Sequence, residues 1–488
     1  MVLLTGSSWA SETGIKLPDI GDSSRAIVSE QDENSYKHAL IREFRRTARV
    51  IEDPLVAGYL RHLGYSLVAH SDDPDRDFSF FVVDSSVVNA FAAPGGFVGI
   101  HSELILTAEN ESELAGVMAH EVAHVTQKHL ARAIESAQKI SLPMMLLMVG
   151  AIIAARGDSD AVQTAVVGGQ AVQQQLQINF TRSNEHEADR VGIQTLARAG
   201  YDPHGMAGFF QKMSRISRNY GQGPPEFLRT HPVETTRIAE AKNRAAQIQI
   251  DDPPERNPET FYLIKERLRV LTEEDSNELI NYYSKQIELG NEGVAEAYGL
   301  SLAHLAAQDP VGAFEVLAPF AESHVDSLPI QLALAQIEFT SGRALEAGQR
   351  YKNLLDRFPG NRAVASAYAD ALLEFGGAKQ ASRAESILKP LLARFPSDSE
   401  LFELYSRAAD QAGFEIRAKE AYAHHVFLLG RVYDAVSQLR ELLKSPELDY
   451  YERSRVEARI AELQPILARI QREHGWDPSE GKSLTTLR

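Results

Sequence analysis

Two histidines four positions apart, with a glutamate directly after the first, are the residues of this chain best suited to chemistry: His120, Glu121 and His124. Residues four apart on a helix share a face, so both imidazoles can reach one metal ion about 2.0 to 2.1 Å from each nitrogen. Glu121 lies about 100° further round the helix, beside that ion, where it can deprotonate a metal-activated water. The motif therefore predicts a metal-dependent hydrolase.

A third metal ligand is predicted at Glu185, within the segment TRSNEHEADRVG. Glu185 and Asp189 are four residues apart on a second predicted helix, so their carboxylates face the same way. Catalytic zinc typically takes three protein ligands and keeps a fourth position open, and the two histidines with Glu185 complete such a set for Zn2+. Asp189 is then placed to accept the free ring N–H of a ligand histidine. The alternative is a solvated helix face with Arg182 and Arg190 as partners.

Helices and a small sheet must hold these side chains in place. Residues 111–132 have apolar positions at helical spacing and no Gly or Pro after Gly116, which predicts one helix carrying both histidines. The segments 78–84 and 95–106 carry β-branched and aromatic residues beside turn signals and predict two or three strands. Residues 32–70 have a helical pattern and are predicted to pack beside the histidine helix.

The order of these motifs resembles a known family. His-Glu-x-x-His followed by Glu-x-x-Ala-Asp, with NAFAAPGG at residues 89–96, resembles the integral and periplasmic metallopeptidases related to the CAAX prenyl protease and heat-shock protease X. The motifs are strong from about residue 89 to residue 237 and mostly architectural beyond residue 253. Members of this group with tetratricopeptide-type helices after a soluble catalytic domain act in the quality control of outer-membrane proteins. The resemblance therefore implies a zinc endopeptidase of the periplasm.

The resemblance also implies how a substrate is held. In zinc peptidases of this type, the strand before the catalytic helix is an open edge that pairs with an extended substrate through its main chain. This assigns substrate binding to six residues around that strand: Asn89, Ala90, Phe91, Gly96, Phe97 and Val98. A strand that only covers the core is the alternative.

His231 lies in the segment FLRTHP, in a loop predicted to enter a helix that carries Arg237 and ends near residue 249. Without the resemblance, a histidine in such a loop is more often one that caps a helix or packs against the core. In the resembling peptidases, a Thr-His-Pro loop supplies a histidine to the fourth position of the zinc. The resemblance therefore implies that His231 is a fourth metal ligand and a removable regulatory latch.

Composition limits the partners and the chemistry. The 488 residues carry a formal net charge of −17, which argues against nucleic acid as a partner and leaves at most a peripheral association with membranes. The chain has no cysteine, which excludes disulfides, thiol nucleophiles and thiolate metal sites.

The apolar run at residues 140–155 is shorter than the roughly 20 residues that span a bilayer, and predicts a buried helix or a flexible lid. Residues 158–177 are predicted to be mobile and to cover the active site.

Four parts are predicted along the chain. Residues 1–10 fit the tail of a signal peptide or a cytoplasmic N-terminus, and the resemblance favours export. A metallopeptidase domain follows at residues 11–250, and a polar, Pro-rich linker at residues 251–260. Residues 261–488 form the repeat domain.

The repeat domain is predicted from its spacing. Gly342 and Gly376 are 34 residues apart, and Phe358 and Phe395, each followed by proline, are 37 apart. Such periods are typical of tetratricopeptide helix pairs stacked into a solenoid, with a generic helical bundle as the alternative. Gly430 follows the glycine at position 413 by only 17 residues, which predicts irregular last repeats.

The chain is therefore predicted to be mainly α: a zincin-like α+β metallopeptidase domain with a small sheet, followed by an α-solenoid of tetratricopeptide-type repeats. Glu121 and Asp189 are its predicted catalytic pair. The resemblance implies substrates that are unfolded or stalled outer-membrane proteins, a chaperone-like role, and binding of the β-barrel assembly machinery through the repeats. The main alternative is a chaperone or adaptor with a catalytically silent zinc site. The short apolar run disfavours a membrane-embedded prenyl-peptide protease.

Overall fold

The structure is a computed structural model that describes residues 48–93, 95–130, 182–219, 225–250 and 257–474, together with four residues outside these ranges: Ile41, Phe44, Arg45 and Arg132. Its N-terminal part combines a small sheet with helices, in the order β1 Val50–Ile51, α1 Pro54–Val68, β2 Ser79–Val83, β3 Ala90–Ala93, β4 Phe97–His101, α2 Ser102–Thr107, α3 Glu111–Thr126, α4 Arg182–Arg198, α5 His204–Asn219, α6 Glu226–Thr230 and α7 Thr235–Gln247. The predicted mainly α architecture with a small sheet is confirmed.

The C-terminal part is helical throughout its described residues. Its elements are α8 Pro258–Thr272, α9 Ser276–Glu288, α10 Val294–Ala306, α11 Pro310–Leu317 with the 3-10 turn Ala318–Phe320, α12 Leu328–Thr340, α13 Ala344–Arg357, α14 Arg362–Phe375, α15 Ala378–Arg394, α16 Ser399–Gln411, α17 Glu415–Leu428, α18 Val432–Leu442 and α19 Tyr450–His474. From α9 onward each helix packs against the next one in the chain, as the repeat prediction requires.

The sheet corrects one prediction about its edge. Its strand order is β1-β2-β4-β3, with β4 parallel to β2 and antiparallel to β3. The strand that directly precedes the histidine helix, β4, is therefore central, and all five of its residues are buried. The predicted open edge at β4 is wrong, and β3 is the edge strand next to it. The segment 95–106 also turns into helix α2 after His101 rather than continuing as a strand.

Two further boundaries differ from the sequence patterns. The helical pattern predicted over residues 32–70 is interrupted by strand β1: Ile41, Phe44 and Arg45 are helical before it, and helix α1 begins after it at Pro54. Helix α3 ends at Thr126 rather than near residue 132. The predicted signal remnant, apolar run and mobile segment, at residues 1–10, 140–155 and 158–177, lie outside the described residues. Within the described part of the chain, no helix is long and apolar enough to cross a membrane.

Helix α3 runs through the centre of the peptidase part. Its N-cap Asn110 accepts a hydrogen bond from the Glu113 backbone N–H at 3.0 Å, which fixes where the helix begins. The helix packs against α1, α4, α5 and β3, and every residue from Glu113 to Val125 is buried. Burial on all sides is unusual for a helix that carries ionisable groups, and it indicates that these groups find partners inside the fold.

Two glycines allow α3 and α5 to approach closely. A Cβ at Gly205 would lie 2.2 Å from the Ser112 carbonyl oxygen, and one at Gly116 would lie 2.7 Å from the Met206 nitrogen. Both contacts are with backbone atoms, which can move only if the helices separate. This close approach sets the depth of α3 in the core.

We expect Gly205→Ala to lower the free energy of unfolding by about 1 to 3 kcal/mol, since the added methyl group overpacks the helix contact. Gly58→Ala in α1 is the matched control, because a Cβ there has nothing within 4 Å. That control should raise stability by roughly 0.5 to 1 kcal/mol. Urea denaturation of the two variants checks the difference, and equal midpoints would show that the helix contact tolerates a side chain.

The repeat part explains the spacings in the sequence. Phe358 and Phe395 are the C-cap residues of α13 and α15, so the 37-residue spacing connects equivalent ends of successive helix pairs. Gly413 lies between the two helices of one pair, and Gly430 lies before the next pair, which makes 17 residues about half a repeat. The described final pair is irregular, because α18 has 11 residues and α19 has 25.

The peptidase and repeat parts share one hydrophobic cluster, which extends from α1 and α3 into α8, α12, α13 and α14. Arg267 of α8 also donates to both carboxylate oxygens of Asp53, at 2.8 and 2.6 Å. Helix α8 begins at Pro258, inside the predicted linker, whose residues 251–256 are not described. The predicted domain limits remain predictions, and the two parts pack as neighbours with a continuous core.

Candidate metal centre

Helix α3 brings His120 and His124 together as the spacing predicts. Their Nε2 atoms lie 2.9 Å apart, and both side chains are buried. Glu121 follows His120 and is also buried, at 1% exposure. The helix therefore presents two imidazole nitrogens at one point inside the protein, with a carboxylate beside them.

Glu185 of α4 and His231 complete this cluster. The Glu185 carboxylate lies 3.5 Å from His120 Nε2 through Oε2 and 3.4 Å from His124 Nε2 through Oε1. His231 Nδ1 lies 3.3 Å from His120 Nε2 and 3.2 Å from Glu185 Oε2. One ligand atom from each of the four residues falls within 4.8 Å of the other three.

The four donor residues come close enough to hold one metal ion together. Atoms placed tetrahedrally at about 2.0 to 2.1 Å from an ion lie about 3.3 to 3.4 Å from one another. The distances from His120 Nε2 to His124 Nε2, His231 Nδ1 and Glu185 Oε2 are 2.9, 3.3 and 3.5 Å, close to that value. Imidazole and carboxylate ligands without thiolates are also the donor set of catalytic zinc sites.

Glu121 has the position of a proton acceptor. Its Oε1 lies 3.4 Å from His231 Nε2 and makes no hydrogen bond to any described residue, although it is completely buried. Buried carboxylate oxygens normally have a donor, so an oxygen without one beside a metal-type cluster indicates a functional group. Burial raises the pKa of Glu121, against the opposing effect of the neighbouring His231 and His120. A raised pKa suits a group that takes up and returns a proton.

Asp189 and Arg237 contact the donor residues on the side away from the point where the donor atoms meet. Asp189 Oδ1 lies 3.0 Å from His120 Nδ1, and Arg237 donates to both Asp189 oxygens at 2.8 and 2.7 Å. Arg237 Nη1 also lies 2.8 Å from Glu185 Oε2. Burial raises the pKa of Asp189, but His120 and Arg237 outweigh it and lower that pKa overall. Asp189 is therefore charged and fixes the orientation of the His120 ring.

The alternative of a solvated face for the two carboxylates is wrong. Glu185 and Asp189 are 2% and 5% exposed, and their cation is Arg237 rather than Arg182 or Arg190. Sequence reasoning placed Arg237 on the helix after His231 but assigned it no role. The available signal was electrostatic, since two buried carboxylates on one helix face require a buried cation.

His231 is held by contacts with the edge strand. It is the C-cap residue of the short helix α6, whose Phe227 N–H donates to the Val88 carbonyl at 3.1 Å. Thr230 Oγ1 donates to Asn89 Oδ1 at 3.2 Å. On the other side, Arg237 Nη1 donates to the Pro232 carbonyl at 2.8 Å. These bonds fix the loop that the sequence predicted, and α7 follows it as expected.

The predicted substrate-binding residues fall into two groups. Asn89 precedes edge strand β3, which contains Ala90 and Phe91 and begins beside the His231 loop. Gly96, Phe97 and Val98 are buried at the start of the central strand β4, whose two sides are already paired. Of these two strands, only β3 has an unpaired side within the described residues. Only β3 could therefore pair with the main chain of a substrate.

The fold and the donor cluster define a metallopeptidase with an appended helical-repeat domain. Peptidase family M48 matches residues 54–245, and a tetratricopeptide repeat matches residues 338–408. The chain is 34% identical to the β-barrel assembly-enhancing protease of Escherichia coli K12, over 93% of this chain and 92% of that protein. Its identity to the Yersinia pestis protein of the same name is 31%, over 96% and 98%. The chain belongs to the family of β-barrel assembly-enhancing proteases and is a metalloendopeptidase.

A more distant relative covers less than half of the chain. The human mitochondrial metalloendopeptidase OMA1 is 26% identical over 211 residues, which are 42% of this chain and 40% of that protein. The family match at residues 54–245 contains all four residues of the donor cluster. The predicted family is therefore confirmed.

Proposed function

We propose that this chain is a zinc-dependent endopeptidase that acts on unfolded or stalled outer-membrane β-barrel proteins in the periplasm, and that His231 holds it latent. The observation that carries the proposal is the buried Glu121 Oε1, which has no hydrogen bond within the described part of the chain and lies next to four convergent metal-type donors. The names of the similar proteins support the substrate class and an action in β-barrel assembly.

The residues of the cluster have distinct roles in this proposal. His120, His124 and Glu185 hold the zinc, which when bound supplies Lewis-acid polarisation of the scissile carbonyl and of the attacking water. Glu121 accepts a proton from that water and returns it to the leaving amine. Asp189 keeps the His120 proton on Nδ1, so that Nε2 presents its lone pair.

An extended substrate binds along β3 in this proposal. Among the described residues, β3 pairs with β4 on one side only, and its other main-chain groups would pair with the substrate by β-augmentation. Asn89, Ala90 and Phe91 would contact the substrate, while Gly96, Phe97 and Val98 support the strand from the sheet interior. The repeats would bind a client or the β-barrel assembly machinery and give the enzyme a chaperone-like role, since stacked helix pairs form extended binding surfaces.

The latch follows from the position of His231. Its Nδ1 occupies the fourth corner of the donor cluster, and its Nε2 faces the Glu121 carboxylate. A histidine in this place excludes the attacking water from both. The loop that carries it is tied to the start of β3 by the Phe227 and Thr230 hydrogen bonds, so a substrate arriving at that edge would compete with these bonds.

We expect His231→Ala to raise the rate at which purified, zinc-loaded protein cleaves an unfolded substrate. A rise of about tenfold corresponds to an open form populated at roughly 10% becoming fully populated. The double variant Glu121→Gln/His231→Ala is the blank, because it opens the site and removes the base.

A lower rate in His231→Ala would instead mean that the histidine stabilises the transition state. Blank-level cleavage in both the wild type and His231→Ala, with zinc bound, would reject the peptidase proposal. The alternative of a chaperone or adaptor with a silent zinc site would then hold.

A further inference from the structure

His129 is a buried histidine outside the donor cluster, and it contacts one of the donor residues directly. It lies beyond the end of α3 and is 1% exposed. Its Nδ1 is 2.8 Å from Nδ1 of His124, and the two rings are nearly perpendicular, at 77°. A contact this short between two ring nitrogens is a hydrogen bond, with one ring donating and the other accepting.

The contact continues away from the cluster. His129 Nε2 lies 3.1 Å from Glu187 Oε2, and Arg132 donates to the same oxygen at 2.8 Å. Glu187 is on α4, between Glu185 and Asp189 in the sequence. The chain of contacts thus runs from His124 through His129 to a carboxylate that an arginine neutralises.

The proton positions in this chain follow from the acceptor at its end. A carboxylate accepts only, so His129 carries its proton on Nε2 and leaves a lone pair on Nδ1. That lone pair accepts the Nδ1–H of His124. His124 then has its lone pair on Nε2, the atom that faces His120 and Glu185.

We propose that His129 is a positioning residue that fixes the ring and the tautomer of His124 for metal binding. The proposal rests on the zinc site proposed above and extends it. The two ligand histidines of α3 would each have their own support: His120 is backed by Asp189 and Arg237, and His124 by His129, Glu187 and Arg132.

The backbone before His129 supports a specific placement. Lys128 has φ = 54°, in the left-handed region that residues other than glycine rarely adopt. This conformation turns the chain after α3 ends and returns the His129 ring toward His124. Such a backbone is unfavourable for a residue with a side chain and persists only where the surrounding contacts enforce it.

The experiment measures the zinc affinity of the full-length protein by competition with a chromogenic chelator, after removal of bound metal. We expect His129→Phe, which keeps the ring volume and removes the acceptor, to weaken zinc binding about 10- to 100-fold. His129→Asn should recover part of the loss, because its amide oxygen can accept the His124 N–H. Glu187→Ala, at a partly exposed position, should weaken binding in the same direction.

His101→Phe is the matched control. His101 is a buried histidine of the same domain that bonds to the Val87 carbonyl instead of a donor residue. We expect its zinc affinity to equal that of the wild type, with melting of the metal-free proteins showing that each variant folds. Equal zinc affinity in His129→Phe and the wild type, or equal losses in His129→Phe and His101→Phe, would overturn the role of His129. A wild type that binds no zinc would overturn the metal site itself.

Discussion

Glu121→Gln should reduce cleavage of an unfolded substrate by about 10²- to 10⁴-fold, the contribution typical of a general base. Glutamine keeps the shape of the side chain, but it carries no negative charge and cannot accept the proton of the attacking water. Burial raises the pKa of Glu121, which makes its carboxylate a stronger base towards water. The rate is best measured in the His231→Ala background, in which the proposed latch is absent.

Zinc content separates this effect from a damaged site. Glu121 lies 3.4 Å from His231 Nε2 and is outside the four-residue donor cluster, so Glu121→Gln should bind zinc as the wild type does. Thermal melting should also stay close to that of the wild type. A variant that keeps both zinc and the full cleavage rate would exclude Glu121 as the base and reopen the assignment of the site.

The donor cluster could be predicted because its spacing is local. His120 and His124 share a face of one helix at any tertiary arrangement, and Glu185 and Asp189 do the same on another. Only the meeting of the two helices required the fold, and the resemblance to a known family supplied it. His231 was predicted from that resemblance alone, since nothing in a Thr-His-Pro loop indicates a metal.

The edge strand could not be predicted because strand order is not local. The crossover that pairs β4 with β2 in parallel places β4 in the middle of the sheet. One signal did exist, namely Gly99 in the middle of β4. A Cβ at this position would lie 2.4 Å from the ring of Phe91 on the neighbouring strand β3. A glycine inside a strand often marks such a close approach, which requires a neighbouring strand.

The supporting residues were missed for a related reason. Arg237 is 48 residues from Asp189, and the two are joined only when α7 packs against α4. His129 lies within the helix predicted over residues 111–132, but the observed helix ends at Thr126 and the backbone turns at Lys128, so helical periodicity predicted the wrong direction for its side chain. Both residues satisfy needs that arise only after burial, namely a cation for two carboxylates and an acceptor for a ring N–H.

Arg237→Met should destabilise the metal-free protein by about 3 to 5 kcal/mol, the cost of removing one partner from a buried ion pair. The Arg237 guanidinium is 2% exposed and contacts Asp189, Glu185 and the Pro232 carbonyl. Methionine matches much of its length but leaves two buried carboxylates without a cation. For a domain of this size, the melting temperature should fall by about 10 °C.

Zinc should restore part of that stability, because a divalent cation bound between the histidines and Glu185 replaces the missing positive charge. Arg267→Met is the matched control: it breaks a bidentate pair with Asp53 between the peptidase and repeat parts, away from the donor cluster. Zinc should raise the melting temperature of this control only as much as that of the wild type.

If Arg237→Met melted like the wild type without metal, the two carboxylates would have another counter-charge. If zinc stabilised both variants equally, Arg237 would serve the fold rather than the metal centre.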